Sequence, residues 1–450
     1  MPEPRRGSDR PRCPPPIGLA YAASFLRAEG VPCRLRDFAA EGVSPSAALD
    51  ELGGPTDLLC VRVTAPTLDR DLAWLREAKK RRPDLFIVAI TSMFGDETGA
   101  WLDRHEVVDG VLRSDSESTL SLLARGVEDG LLTGFIARGA NGHAARYDAR
   151  QSDFPNYILP ARDLLRHELY RSPVTGAPMT IVETSRGCPF LCVFCPANAL
   201  TAGRVHQRPV ANVLDELEVC VREHGLRDVL FQADTFTLDR AWVRALCDGI
   251  IDRKIPLRWA ANSRADTVDL ETLKRMKAAG CTSLGFGVES GDDEQLRLMK
   301  KNLTTAQIRH AFALCREAGL RAHAFFVIGL PWETRASLDK TERFARELAP
   351  DFLDINIAFP LPNTEYDRIA RRESLLERPI AGRGYATSPV RSRSVAHGEL
   401  QRRRRRMLLS AYIRPLYAWR TLRREASTFP QALRLIGYGL RRVGQLALSR

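Results

Sequence analysis

No stretch of about 18 uncharged apolar residues occurs in this chain of 450 residues, so no transmembrane helix is expected. The N-terminal MPEPRRGSDRPRCPPP carries charge but no apolar core, so no secretory signal is expected, and the cytoplasm is the expected compartment. Lysine is missing from residues 401–450 and acid is nearly so: 13 Arg stand there against Glu425 alone. Since the whole chain has 67 basic and 55 acidic residues, the rest balances at 54 of each, and any anionic partner belongs to the C-terminus. Ten cysteines are present, yet a disulfide framework is not expected in a cytoplasmic chain of this size. Seven of them (Cys13, Cys33, Cys60, Cys220, Cys247, Cys281 and Cys315) are scattered, mostly through apolar patterns where a free thiol acts as a small hydrophobe.

The other three lie together in Thr184-Ser185-Arg186-Gly187-Cys188-Pro189-Phe190-Leu191-Cys192-Val193-Phe194-Cys195-Pro196. This segment follows an apolar strand pattern, Met179–Val182. Three thiolates spaced C-x3-C-x2-C on one loop converge on a metal centre. They leave one coordination position open, and an open position is where chemistry occurs. No fourth Cys or His stands at zinc-finger spacing to complete a structural knuckle.

Length and periodicity call for two or three domains. In the N-terminal part, residues 1–15 read as a Pro/Arg-rich disordered leader, followed by an apolar helix from Ile17 to about Glu29. Strands are expected at Cys33–Phe38, Asp57–Thr64, Leu85–Ile90 and Val111–Arg113, with helices at Asp69–Arg81 and from Ser116 to about Gly126. That alternation predicts an open parallel α/β domain over 1–138. A linker is expected over 139–178, with short helical content around Asp163–Leu169. From 179 to 375 six strands (Met179–Thr184, Asp228–Ala233, Leu257–Asn262, Ser283–Val288, Arg321–Ile328, Phe352–Phe359) alternate with five amphipathic helices (Val210–His224, Asp239–Arg253, Asp269–Ala279, Thr304–Ala318, Ala336–Leu348). Six βα units predict an open, partial (β/α)6 barrel whose catalytic groups collect at the C-terminal strand ends, where the cysteine loop lies. Residues 376–450 form a basic helical tail with apolar–Arg helices beginning at Gln401 and at Gln431. Such helices suit an anionic membrane surface or packing on the barrel with Arg outward. Nucleic acid offers the same charge but is not the expected partner.

The cysteine spacing, with Phe194 before the third cysteine, resembles the signature of the radical S-adenosylmethionine (SAM) enzymes. Further strand-end segments are similar to motifs of that family: Gly287-Val288-Glu289-Ser290-Gly291, Gly329-Leu330-Pro331-Trp332-Glu333-Thr334 and Pro360-Leu361-Pro362-Asn363-Thr364-Glu365. The resemblance implies a 4Fe-4S cluster held by Cys188, Cys192 and Cys195, with SAM completing the coordination. It places Glu289 and Ser290 beside SAM and Gly329, Leu330 and Pro331 along its adenine. Asp234 is expected to meet the SAM ammonium or to cap a helix, Arg264 to pair with a carboxylate of SAM or of the protein, and Asn262 to face the lumen. No acid–base residue is assigned, although His323 is a candidate proton donor or a structural residue.

The N-terminal pattern is similar to the cobalamin-binding domain of many radical SAM enzymes, through Pro14-Pro15-Pro16-Ile17-Gly18-Leu19-Ala20-Tyr21, Val63-Thr64-Ala65-Pro66-Thr67 and Val111-Leu112-Arg113-Ser114-Asp115-Ser116-Glu117. It departs from that pattern in having no strand before the Pro-Pro segment, in Ile90-Thr91-Ser92-Met93-Phe94-Gly95 where glycines are usual, and in the absence of Asp-x-His-x-x-Gly. The implied function is generation of a 5′-deoxyadenosyl radical for cobalamin-dependent methylation of an unactivated carbon. Its alternatives are oxidation, cyclisation or rearrangement without methyl transfer, and a non-catalytic iron–sulfur protein. A methylthiotransferase would need a second cluster on Cys13, Cys33 and Cys60, and Cys13 lies in the leader. The implied partners are a natural-product or lipid-like small-molecule substrate and a reducing flavodoxin or ferredoxin. Peripheral contact with the inner membrane is the variant that the tail allows.

Overall fold

The computed structural model describes residues 14–413 except 55, 65–66, 92–97, 114–115, 127–131, 140–141, 147–157, 173–174 and 378–387, and beyond 413 only Gly437. The leader, Cys13 and the helix expected from Gln431 therefore lie outside the described residues. Among those described, no helix is long and apolar enough to cross a membrane.

The N-terminal unit is a three-layer α/β/α sandwich. Its helices are α1 (Ile17–Ala28), α2 (Phe38–Glu41), α3 (Pro45–Asp50), α4 (Leu68–Arg81), α5 (Thr98–Arg104) and α6 (Thr119–Ala124). Its strands are β1 (Leu58–Arg62), β2 (Phe86–Ile90), β3 (Gly110–Leu112), β4 (Phe135–Gly139) and β5 (Gly142–Arg146), side by side in that order. Strands β1 to β3 are parallel, as expected, while β4 and β5 form an antiparallel hairpin that sequence patterning missed and that carries the sheet past residue 138. One sheet face buries Leu72, Leu75 and Trp101 of α4 and α5; the other buries Ala22, Leu26 and Leu120 of α1 and α6.

The strand expected at Cys33–Phe38 does not form. Residues 33–37 have no regular secondary structure and no ladder partner, and Phe38–Glu41 is helical, capped by Asp37, whose carboxylate accepts from Ala40 N. The alternating apolar residues are real, but they pack on α1 instead of a strand: the Cys33 thiol faces the Ala23 carbonyl at 3.7 Å. Two single 3-10 turns, Arg162–Leu164 and His167–Leu169, stand where short helical content was expected.

The second unit is a six-stranded, all-parallel sheet. Its strands β6 (Met179–Glu183), β9 (Asp228–Gln232), β10 (Arg258–Ser263), β11 (Cys281–Glu289), β12 (Arg321–Ile328) and β13 (Phe352–Ile357) lie in chain order. Helices α8 (Val210–Arg222), α9 (Arg240–Asp252), α10 (Leu270–Ala278), α12 (Thr305–Glu317) and α13 (Arg335–Leu348) cover the outer face. Smaller elements are the ribbon β7 (Ser185–Arg186) with β8 (His206–Gln207), and α7 (Ala197–Thr201), α11 (Asp293–Leu298) and α14 (Glu365–Arg372). Strand β12 shows why the sequence folds so: Ala322, Ala324, Phe326 and Ile328 are buried against helices, while Arg321, His323, Phe325 and Val327 face the lumen half-buried.

A partial barrel has two unpaired edges, which must be covered. At β13, α15 (His397–Tyr412) lies alongside: Tyr412 Oη donates to Leu353 O at 2.7 Å and Arg404 Nε to Ile355 O at 2.6 Å. Arg403 pairs with Asp339 and Arg406 with Glu342, so three arginines of the basic run serve the barrel. At β6, Arg162 Nη2 donates to Ile181 O and Arg208 Nη1 to Glu183 O, both at 2.8 Å. Both guanidiniums also bind Glu216 of α8, which is fully buried. Burial would raise its carboxyl, but the two cations outweigh that and hold it below the usual range.

Replacing Glu216→Gln leaves two buried guanidiniums under-compensated, and the expected loss is about 3–5 kcal/mol in urea unfolding. A second outcome concerns His167, which burial beside His224 pushes down to about 4 from an ordinary 6.5. The unfolded chain takes up a proton near pH 6.5 and the native chain only near 4. Stability is therefore expected to fall between those values as pH drops, and a His167→Phe chain to show a flatter profile there.

Candidate active site

The cysteine loop leaves β6 through a neck fixed by backbone geometry. Gly187 has φ +97°, and a Cβ there would lie 1.9 Å from Arg204 O, so only glycine fits. Gly187 N donates to Asp234 Oδ2 at 2.8 Å. Asp234 thus holds the neck of the loop; the α9 cap is Asp239, which accepts from Trp242 N. Asp234 is exposed by surface area, yet desolvation by the surrounding loop raises its carboxyl, and the Gly187 hydrogen bond opposes that.

Beyond the neck, Val193 N donates to Met299 O at 3.1 Å, Tyr366 N to Val193 O at 2.8 Å and Asn198 Nδ2 to Cys188 O at 3.2 Å. An apolar layer of Met299, Leu330 and Tyr366, with Phe194 packed on it, supports the loop from beneath. Leu330 is fully buried in that layer and the Pro331 carbonyl accepts from Arg393 N, so the Gly329-Leu330-Pro331 turn is placed as the floor of the loop. Gly329 has φ +91°, and its N–H donates to the buried Glu333 carboxylate, which burial pushes up to about 8.

Cys188, Cys192 and Cys195 are free thiols. Among the described residues no three His, Cys, Asp or Glu side chains are drawn up into a metal-holding arrangement. What fits a cluster is the donor set: three thiols on one short loop, each within electrostatic reach of the others, with two cations beside them. Burial pushes the Cys195 thiol up to about 12 and raises Cys192, while Lys301 and Arg264 pull Cys192 back. Thiolates form at such raised thiols when positive charge, such as iron, meets them.

Arg264 is buried and stacked 3.6 Å over the centre of the Phe190 ring. Its Nη1 lies 3.9 Å from Cys192 Sγ, its Nη2 donates to Lys301 O at 2.8 Å, and Asp266 takes its Nε at 3.0 Å. The carboxylate partner of Arg264 is thus Asp266. Lys301 Nζ donates to Glu289 Oε1 at 2.9 Å, with both side chains buried. Glu289 takes a left-handed φ of +63° at an irregularity of β11, and a Cβ on Gly287 would lie 2.3 Å from its Oε1 and 2.6 Å from Lys301 Nζ. Ser290 points into the helix layer, where its Oγ is 3.0 Å from Thr341 Oγ1 and accepts from Asp292 N. Asn262 is exposed on the lumen side above Gly285. His323 Nε2 is 2.9 Å from Asp354 Oδ2 and its ring lies 4.1 Å from that of Phe325.

The expected residues therefore divide. Asp234, Arg264 and Glu289 gather round the cysteine loop, Gly329 to Pro331 support it, Asn262 lines the lumen, and Ser290 stands away from it. Lys301 was missed, because Lys300-Lys301-Asn302 reads as a solvated turn. The signal for it was Glu289 itself, since a carboxylate at a buried strand end requires a cation.

One further contact crosses between the units. Arg186, two residues before Cys188, forms ion pairs with Glu183 and, at 2.9 Å, with Glu117 of the N-terminal unit. Arg113 Nη1 also donates to Leu200 O at 3.3 Å.

Residues 182–345, which hold most of the partial parallel barrel and the three-cysteine loop at the end of its first strand, match the radical SAM superfamily. Those residues form a radical SAM domain. The chain is 29% identical over 414 residues to an uncharacterized methyltransferase of Pyrococcus horikoshii, covering 89% of this chain and 88% of that one. The fold is shared with the radical SAM methyltransferase TsrM from Kitasatospora setae, at TM-score 0.71 and 16% identity over 99% of this chain and 98% of that one. It is shared also with the cobalamin-dependent SAM radical enzyme OxsB, at TM-score 0.75 and 17% identity over 97% of this chain and 69% of that one.

Removing one partner of the Lys301–Glu289 pair strands a buried charge. Lys301→Met and Glu289→Gln are each expected to cost about 3–5 kcal/mol, and the double variant clearly less than their sum. Urea unfolding of the four chains in a double-mutant cycle measures that coupling.

Proposed function

We propose that this chain is a cobalamin-dependent radical SAM methylase acting on an unactivated carbon of a small molecule. The observation that carries the reading is the cysteine loop at the barrel mouth, met by the strand-end loop of β3. Strands β1 to β3 are parallel, and the loop after β3 reaches Arg186 and Leu200. The C-terminal edge of that part of the sheet therefore faces the cysteine loop, and this edge is where an open α/β sheet takes its ligand. Residues 65–66 and 92–97 of that edge lie outside the described residues.

Cys188, Cys192 and Cys195 would hold a 4Fe-4S cluster, whose chemistry when bound is one-electron cleavage of SAM to methionine and a 5′-deoxyadenosyl radical. Cobalamin at the N-terminal sheet would supply the methyl group. The residues of the chain hold and enclose these groups. Arg264 and Lys301 place fixed positive charge beside Cys192, which stabilises a thiolate there. Asp234 locks the neck through Gly187. Glu289 neutralises Lys301, so that the lysine does not seek the thiolates alone. Asn262 offers an amide to whatever enters the lumen. The N-terminal unit covers part of the lumen wall, where Tyr21 and Leu165 pack with Ile181 and Leu230, and so keeps water from that side. A small-molecule substrate and a flavodoxin or ferredoxin reductant belong to the same reading. Of the basic run in the tail, Arg403, Arg404 and Arg406 are engaged with the barrel.

The test is anaerobic reconstitution with iron and sulfide, then SAM and dithionite. The wild type is expected to form 5′-deoxyadenosine and to retain hydroxocobalamin at about one per chain, whereas Cys192→Ala forms none of the nucleoside. Nucleoside without bound corrinoid would remove methyl transfer and leave oxidation, cyclisation or rearrangement. An intact cluster without nucleoside would remove the enzymatic reading.

A further inference from the structure

The contact between Glu117 and Arg186 is built more heavily than domain packing requires. Among its contacts with described residues, Arg186 makes a charge-assisted fork to each of two carboxylates. Its Nε and Nη2 donate to Glu183 at 3.0 and 2.8 Å, and its Nη1 and Nη2 donate to Glu117, both at 2.9 Å. The two forks fix the plane of the guanidinium as well as its position, which a lysine ammonium cannot do. The Arg186 side chain is 12% exposed and that of Glu117 5%, so solvent screens the pair little. The guanidinium also lies 5.9 Å from the centre of the Tyr21 ring on α1.

The placement gives the pair its meaning. Glu183 is the last residue of β6, and Arg186 belongs to the ribbon strand β7, with one residue between it and Cys188. Two residues of extended chain span at most about 7 Å, so the position of Arg186 limits that of the first cysteine. On the far side of the loop, Arg113 from the same N-terminal segment binds the carbonyl of Leu200, in α7. Arg113 and Glu117 thus grip both stems of the cysteine loop.

We propose that Glu117 is a positioning residue for the cysteine loop: through Arg186 it ties the order of the loop to the seating of the N-terminal unit. Such a tie makes the two units communicate. Whatever orders the strand-end loop after β3 also orders the cysteine loop, and the dependence is reciprocal. The assignment of the loop as a cluster site rests on the proposed function, but the mechanical tie does not.

The experiment uses the full chain, iron-free and anaerobically reconstituted, as wild type, Glu117→Gln and Arg186→Lys. Leu75→Ala, in the N-terminal core away from this contact, is the control for general destabilisation. Hydrogen–deuterium exchange is followed in peptides covering 184–200, and the electron paramagnetic resonance signal of the dithionite-reduced cluster is recorded with and without SAM. Glu117→Gln and Arg186→Lys are expected to speed exchange in 184–200 about fivefold or more and to blunt the change that SAM induces in the signal. Leu75→Ala, with at least as large a drop in denaturation midpoint, is expected to do neither. Exchange in 184–200 at the wild-type rate in Glu117→Gln, or equal acceleration by Leu75→Ala, would overturn the proposal. Because exchange is also read on the iron-free chain, a wild type that holds no iron would defeat the cluster assignment while the tie is still judged.

Discussion

An open barrel leaves two rows of backbone groups without a neighbouring strand, and the rest of this molecule is arranged round that constraint. On β13 the row is met by Tyr412 and Arg404 from α15. On β6 it is met by Arg162 and Arg208, at alternate residues in the same way. The β6 solution is the more demanding one, because it buries two cations where no water can help. Glu216 meets both, and Tyr21 Oη shares Arg208 at 3.1 Å. A side chain from α8, one from the segment before β6, one from just after β8 and one from α1 therefore converge on the same strand. The edge that needed covering became the point at which four parts of the chain are joined.

The cysteine loop inherits its position from that junction. The Glu183 carbonyl takes Arg208 and its carboxylate takes Arg186, so the last residue of β6 belongs both to the edge cover and to the contact across the units. Three guanidiniums (Arg162, Arg186, Arg208) and three carboxylates (Glu117, Glu183, Glu216) form a series with matched formal charge. Charges so arranged suit burial, since each has an opposite partner in hydrogen-bond contact. A reactive loop gains from such support because its own sequence, rich in Pro and Cys and with Gly187 at a left-handed angle, has little local preference for one shape. Order has to be imposed on it from outside.

The sequence made the barrel legible because its strands and helices carry strong periods. All six strands and all five outer helices lie within a few residues of where patterning put them, and the cysteine loop was legible from spacing alone. What stayed hidden was whatever depends on a distant partner. The apolar alternation around Cys33 was correct, yet it packs on a helix, and periodicity cannot tell which surface an extended segment will meet. The hairpin of β4 and β5 was missed because its residues, among them Gly139, Gly142 and Arg146, resemble a polar connection. Arg186 and Glu117 are 69 positions apart, and nothing local marks them as a pair. Lys301 lies in no strand-end motif and went unmarked, and the motif that implied Ser290 beside SAM does not say which way the chain turns after a left-handed residue.

The two walls of the lumen differ in a way that follows from these supports. The wall near the cysteine loop carries fixed charge, with Arg264 on Phe190 and Lys301 on Glu289, and each cation has a protein carboxylate in contact. The wall formed by β12 and β13 carries Phe325, Phe352 and the His323–Asp354 pair, with the His323 ring tilted against both phenylalanines at 4.1 and 5.7 Å. Between them lie Gly285 and Gly287, whose missing side chains let Asn262, Phe325 and the Glu289–Lys301 pair close over the strand. The first wall thus sets its ion pairs beside the thiols, and the second sets two phenylalanine rings beside the His323–Asp354 pair. A small substrate with an apolar body has surface to rest on at the second wall without disturbing the ion pairs of the first. The glycines of β11 keep the two environments a single strand apart.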